Sequence, residues 1–166
     1  INNLPLSLLK DNFGNPVLVV VDLPGRSVYL KVWVLRVGRN PLYLLDADHD
    51  YNAYEDRIIT HQLYGGNWEN RLKQELVLGF GGIRLLRHLG YNIDVYHLNE
   101  GHAAFINLER IKDLVVEDNL SFDEALEVVR NSSLFTTHTP VPAGHDMFEE
   151  DMLRVYLRHL PERLGI

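Results

Sequence analysis

The sequence predicts an α/β protein in which an N-terminal β-meander precedes a parallel βα unit. Three observations carry the expectation. Runs rich in Val, Leu and aromatics near the N-terminus are separated by Pro-Gly and Gly-Arg-Asn-Pro turn residues. From residue 67 the apolar positions recur at three and four. From Gly90 onward the order reads strand, two helices, strand, helix, which is the pattern of a crossover in a parallel sheet.

Residues 17–23, 28–37 and 42–45 are the predicted meander, with Pro24-Gly25 and Gly38-Arg-Asn-Pro41 as its turns and Val28, Leu30, Val32 and Val34 on one face. Residues 46–56 are polar and tyrosine-bearing without a clear period, which predicts a loop. Leu72, Leu76, Phe80, Ile83 and Leu86 or Arg87 then mark one face of a long helix over 68–89, and Gly90 stands where a C-capping glycine belongs. Residues 93–98 form the next expected strand. A helix over 103–116 follows, with Ala104, Leu108, Ile111 and Val115 on one face. Ser121 with Glu124 is a capping box for a further helix, and residues 134–137 are a strand. Asp146 with Glu149 is a second candidate capping box, ahead of Met152, Val155, Tyr156 and His159 at helical spacing. The reading is of one domain, with a β-rich segment and loop over 1–66 and helices with the βα crossover over 67–166.

At 166 residues and 46% hydrophobic, the chain has enough apolar surface for a core. Its net charge of −7 argues against a nucleic-acid or anionic-membrane partner, either of which needs clustered Lys and Arg. No apolar run reaches the roughly 20 residues of a membrane span. With no cysteine, disulfides, thiolate nucleophiles and Cys-ligated zinc drop out, and a reducing cytoplasm is the expected location. The chain opens on Ile1 rather than Met, which points to a processed product or a piece of something longer.

Two histidine-bearing loops, His97-Leu-Asn-Glu-Gly-His102 and Phe135-Thr-Thr-His-Thr-Pro-Val-Pro-Ala-Gly-His145, each follow a predicted strand and precede a predicted helix. In open parallel sheets ligands bind beyond the carboxyl ends of the strands, so both loops are expected to face one crevice. Asn99, Glu100, His102, Thr137 and His138 would line it with amide, carboxylate, hydroxyl and imidazole groups, a set suited to a neutral polyhydroxylated ligand such as a sugar. The plainer account is that Asn99 and Glu100 cap the following helix and that His97 is a strand residue satisfied by hydrogen bonds. A zinc site built from Glu100, His102 and His138, with His145 as a fourth ligand, is a third option, although the His-x-x-Glu-x-His spacing matches no zincin motif. Gly79-Phe-Gly-Gly82 lies inside the helical pattern with no strand before it, so a close helix-helix contact is expected there rather than a phosphate loop.

Leu63-Tyr-Gly-Gly66, Glu69-Asn-Arg-Leu-Lys-Gln-Glu75, Leu98-Asn-Glu-Gly-His-Ala-Ala-Phe105 and Phe135-Thr-Thr-His-Thr-Pro-Val-Pro-Ala-Gly-His-Asp146 closely resemble the α-glucan phosphorylases of the shorter bacterial and archaeal type. Leu23-Pro-Gly-Arg26 and Pro41-Leu-Tyr-Leu-Leu-Asp46 resemble the preceding part of the same family, so the likeness runs along nearly the whole chain. The resemblance is to the later part of the N-terminal domain only. It implies a fragment of a two-Rossmann-domain glycosyltransferase fold that phosphorolyses α-1,4-glucan to glucose 1-phosphate with pyridoxal phosphate. It also implies that His138 contacts the 6-hydroxyl of the glucosyl unit, that Glu100 orients that histidine, and that His102 is a second active-site histidine, with Asn99 and Thr137 beside the substrate. Where the longer, animal-type branch reads Asn-Asp-Thr-His-Pro, this chain reads Asn99-Glu-Gly-His-Ala103, and Thr137 replaces an Asn.

Lys10, Lys31, Lys73 and Lys112 are the only lysines, and none stands in the Gly-Asn-Met-Lys setting that carries the cofactor in the family. The expectation is therefore an inactive fragment that binds no pyridoxal phosphate. Its partners would be α-1,4-glucan, inorganic phosphate and a C-terminal phosphorylase domain, with a homo-oligomer compatible. The competing accounts are a stand-alone carbohydrate-binding domain and a metal-dependent hydrolase.

Overall fold

The computed structural model describes residues 5–63, 65–141 and 146–166. The chain divides into two compact units, 1–74 and 75–166. Among the described residues no helix is long and apolar enough to cross a membrane.

In the first unit β1 (Ser7–Leu8), β2 (Leu18–Leu23), β3 (Arg26–Val37) and β4 (Asn40–Asp46) form one antiparallel sheet. The long β3 is its spine. Lys31 of β3 is opposite Leu18 of β2 and also opposite Asp46 of β4, so β2 and β4 flank β3 on opposite sides. Alternation places Val19, Val21, Leu23, Val28, Leu30 and Val32 on the buried face, while Val34, expected with them, is half-buried because β3 is running out of the core. Pro24 and Gly25 alone join β2 to β3, and Gly25 has φ +75°, a conformation that a Pro-Gly turn supplies at little steric cost. The second turn is tighter than the sequence suggests, since Asn40 and Pro41 already pair in β4.

The stretch expected as loop is held by side chains. Asn52 accepts from Tyr29 N–H at 2.8 Å and donates to the Tyr29 and Ala47 carbonyls at 2.7 Å each, so its amide stands in for a neighbouring strand. Asp56, buried, takes a two-pronged contact from Arg26 at 2.5 and 2.7 Å. These tertiary bonds, rather than any periodicity, accompany the four-residue helix α1 (Tyr54–Arg57) that the sequence does not announce.

The expected long helix is present in three parts: α2 (Trp68–Leu76), a π-helical turn (Val77–Gly81) and α3 (Gly82–His88). A π turn rotates the register of everything after it. That explains why Leu85, rather than Leu86, is buried beside Ile83. Gly90 (φ +72°) ends the helix with N–H bonds from Gly90 to Arg87 and from Tyr91 to Leu86, the paired pattern of a Schellman cap.

In the second unit β5 (Tyr96–Asn99) pairs in parallel with β6 (Ser133–Thr136), Asn99 opposite Thr136. The crossover between them is a 3-10 turn (Gly101–Ala103), α4 (Phe105–Val116) and α5 (Phe122–Asn131), and α5 is opened by the expected Ser121–Glu124 capping box. α6 (Glu150–Tyr156) and α7 (Leu160–Leu164) follow. One core cluster here is Ile111, Ala125, Val129 and Leu164, with Leu114, Val115, Phe122 and Leu160 packed against it.

Two expectations for this unit need correction. Ala104 is exposed, and the residues that α4 buries beside Ile111 are Glu109, Arg110 and Asp113. Apolar spacing finds the side of α4 facing α5 and α7, but α4 also meets α3 through ion pairs, Glu109 with Arg84 (2.7 Å) and Asp113 with Arg87, while Lys112 of α4 itself also holds Glu109 at 2.8 Å. The second capping box does not form. Glu149 is the N-cap of α6 without a side-chain cap bond, and Asp146 turns toward His102 instead.

Candidate functional site

Both strands of the parallel pair end at the same level, and the side chains beyond them converge. Asn99 is the last residue of β5, and the Glu100 N–H donates to the Thr136 carbonyl at 2.8 Å. Glu100 then takes φ +61° and ψ −173°, a region that non-glycine residues rarely occupy. This departure turns its carboxylate into the second loop. Oε1 accepts from the His138 backbone N–H at 2.5 Å and from Thr139 Oγ1 at 3.2 Å, while Oε2 accepts from Thr137 Oγ1 at 3.1 Å. One carboxylate thus fastens three consecutive residues.

The His138 backbone N–H does most to hold the Glu100 carboxyl below the usual carboxylate range. Burial opposes that shift, and the Thr137 and Thr139 hydroxyls reinforce it. At neutral pH Glu100 is therefore an ionised acceptor, which suits a positioning role better than that of a general acid. With its main chain fixed, His138 directs its ring so that Nε2 lies 2.8 Å from Asn99 Oδ1. An amide oxygen can only accept, so Nε2 is the donor in this contact. His97 Nε2 lies 2.8 Å from Thr136 Oγ1 across the strand pair, the satisfied strand histidine of the plainer account.

Among the five expected site residues, Asn99, Glu100, Thr137 and His138 are thus one hydrogen-bonded cluster. His102 is not part of it. Its Nδ1 faces Asp146 Oδ2 at 3.5 Å and Glu75 Oε1 at 3.9 Å. A zinc site from Glu100, His102 and His138 is therefore not assembled: Glu100 is committed to the loop, His138 to Asn99, and His102 to other carboxylates. His145, the fourth ligand of that option, lies outside the described residues. Sequence reasoning missed Thr139, Glu75 and Asp146. Thr139 sits in the same Thr-Thr-His-Thr run and could have been found, whereas Glu75 hides among the apolar positions of α2.

No family model matches the chain. It is 49% identical over 162 residues to glycogen phosphorylase of Mycobacterium tuberculosis, a match that covers 93% of this chain and 18% of that protein. It is 47% identical to maltodextrin phosphorylase of Thermococcus litoralis, covering 96% of this chain and 20% of that protein. Glycogen phosphorylase of Aquifex aeolicus is 34% identical over 163 residues. The chain's relatives are glycogen and maltodextrin phosphorylases. It spans about a fifth of their length. Among solved structures, the catalytic domain of starch synthase IV from Arabidopsis thaliana, bound to ADP and acarbose, aligns with a TM-score of 0.50 at 19% identity, covering 82% of this chain and 23% of that one. That likeness is one of fold alone.

Proposed function

We propose that this chain is one wall of the sugar site of an α-1,4-glucan phosphorylase, part of its N-terminal Rossmann-like domain. The parent enzyme would transfer a terminal glucosyl unit of the glucan to inorganic phosphate and release glucose 1-phosphate. The observation that carries the reading is the Glu100 carboxylate fastening residues 137–139 beyond the ends of β5 and β6, with His138 locked by Asn99. Held this way, His138 can offer a fixed ring and carbonyl to a sugar hydroxyl, with Asn99 and Thr137 beside it, and pre-orientation lowers the ordering cost of binding. His102 would act from the adjacent turn as the second histidine of the site.

The residues present do not fit pyridoxal phosphate. Lys31, Lys73 and Lys112 are engaged with Asp46, Glu69 and Glu109, and the 99–102 and 137–141 loops contain no Lys or Arg. Cofactor and phosphate would be held by the C-terminal phosphorylase domain of the parent, and the 166-residue chain alone should show no phosphorolysis.

The test uses the intact parent enzyme, with maltodextrin and a substrate whose terminal glucosyl unit lacks the 6-hydroxyl. His138→Ala and removal of the hydroxyl should each cost about 1–3 kcal/mol of transition-state binding, the range for an unsatisfied buried partner. Combined, they should cost little more than either alone. Additive losses would mean that His138 acts through folding or docking, and the sugar-contact role would fall.

A further inference from the structure

Glu75, His102 and Asp146 stand close together outside the Glu100 cluster. They offer one imidazole nitrogen and two carboxylate oxygens, all within 4.8 Å of one another. We propose that these three side chains form a divalent transition-metal site, with Zn2+ its best-suited occupant. The inference does not depend on the phosphorylase reading.

Geometry is the first support. Ligand atoms about 2.0–2.2 Å from a tetrahedral zinc stand about 3.3–3.6 Å from each other. His102 Nδ1 is 3.5 Å from Asp146 Oδ2 and 3.9 Å from Glu75 Oε1, so these two pairs need close by no more than a few tenths of an ångström, while the two carboxylates, within 4.8 Å of each other, need close by no more than about 1.5 Å. The set also has the right chemistry. An imidazole with carboxylates suits zinc and its neighbours, whereas Mg2+ prefers an all-oxygen octahedron and Cu(I) prefers sulfur. Three protein ligands leave a tetrahedral ion one open position for water or a substrate oxygen.

The second support is how the ligands are carried. Each is followed within five residues by a phenylalanine, and those three rings meet: Phe80 and Phe105 with centroids 6.1 Å apart, Phe105 and Phe148 6.3 Å apart. Phe80 follows Glu75 in the helix, Phe105 follows the His102 turn, and Phe148 follows Asp146. Gly79 brings the helix against Phe105 so closely that no side chain fits between them. The aromatic contact thus fixes the spacing of three segments far apart in sequence, as a pre-organised metal site requires. Charge is the third support. Two carboxylates converge on one ring, and the Glu75 side chain is only 5% exposed, so the donor set is anionic and shielded from water, as a divalent cation prefers.

The experiment takes the full chain, stripped with chelator, and titrates it calorimetrically with Zn2+ alone, then with Mg2+. One zinc per chain should bind saturably, raise the melting temperature and leave Mg2+ without effect. Asp146→Asn and His102→Ala should each weaken zinc by at least about tenfold while circular dichroism stays native, and Glu75→Gln should do the same if it folds. The chain holds eight histidines, so zinc uptake unaltered by both Asp146→Asn and His102→Ala would assign it to other surface sites and overturn the proposal. Absence of saturable uptake would overturn it equally.

Discussion

Replacing Gly79 by alanine, with Gly82→Ala as its control, tests the close contact of this helix with Phe105 and Ile106. A Cβ built on Gly79 would lie 2.7 Å from Phe105 Cβ, 2.9 Å from the Ile106 nitrogen and 3.0 Å from the Phe105 carbonyl carbon. Two of those three atoms are main chain, which cannot move aside as a side-chain tip can. On Gly82 the same Cβ meets nothing within 4 Å. Both positions belong to one continuous helical run, so each substitution gains about 0.5–1 kcal/mol from helix propensity. At Gly79 that gain is set against an overpacking cost of about 1–3 kcal/mol, with the main-chain clash favouring the upper half of that range. Gly82→Ala should therefore stabilise by about 0.5–1 kcal/mol and Gly79→Ala destabilise by about 1–2 kcal/mol. Urea unfolding followed by circular dichroism measures both, and a separation of about 2 kcal/mol lies well outside the error of a shared slope. Equal effects of the two substitutions would refute the contact and remove the frame on which the Glu75 and His102 geometry rests.

Glu100→Gln should loosen the 137–139 loop without unfolding the chain, because an amide offers one acceptor oxygen where the carboxylate uses two. Hydrogen exchange at the His138 amide should accelerate at least about tenfold, and unchanged protection would show that the carboxylate is not what holds the loop. Acid should destabilise the second unit through Glu109: burial pushes its carboxyl up, but Arg84 and Lys112 outweigh that and hold it below the usual value. Its folded pKa is thus lower than its unfolded one, so the stabilisation is full above about pH 4.3 and is lost as pH falls through the folded value. Urea midpoints measured from pH 7 to pH 3 should fall only in that acidic range and fall less in Glu109→Gln; an equal fall in Glu109→Gln, or none in the parent, would sink the argument.

How far the sequence discloses this structure depends on whether the determining interaction is local. The β2–β3 hairpin is legible because alternation and Pro24-Gly25 act over neighbouring residues, and the Ser121–Glu124 capping box is legible for the same reason. The strand-end placement of Asn99, Glu100, Thr137 and His138 follows from the order of elements alone. By contrast, α1 accompanies an Arg26–Asp56 contact spanning 30 residues, and the π turn goes with a helix packed hard against Phe105 at Gly79. Neither leaves a periodic trace. Asp146 shows the failure most clearly, since three residues before Glu149 it satisfies a capping pattern, yet the structure turns it toward His102, 44 positions away in sequence.

The two side-chain clusters beyond β5 divide the polar groups in a way that bears on chemistry. Glu100 spends its acceptor capacity on three partners within its own loops, so His138, rather than the carboxylate, is presented for a ligand. His102 shares its loop but faces two carboxylates, Glu75 and Asp146, rather than Glu100. Removing Glu100 and removing Asp146 should therefore disturb different histidines. Under the phosphorylase reading, the first change would act on sugar recognition through His138, whereas the second would act on the charge beside His102 while leaving the His138 amide protected. That independence separates one extended polar site from two adjoining ones, and the hydrogen-bond pattern argues for two.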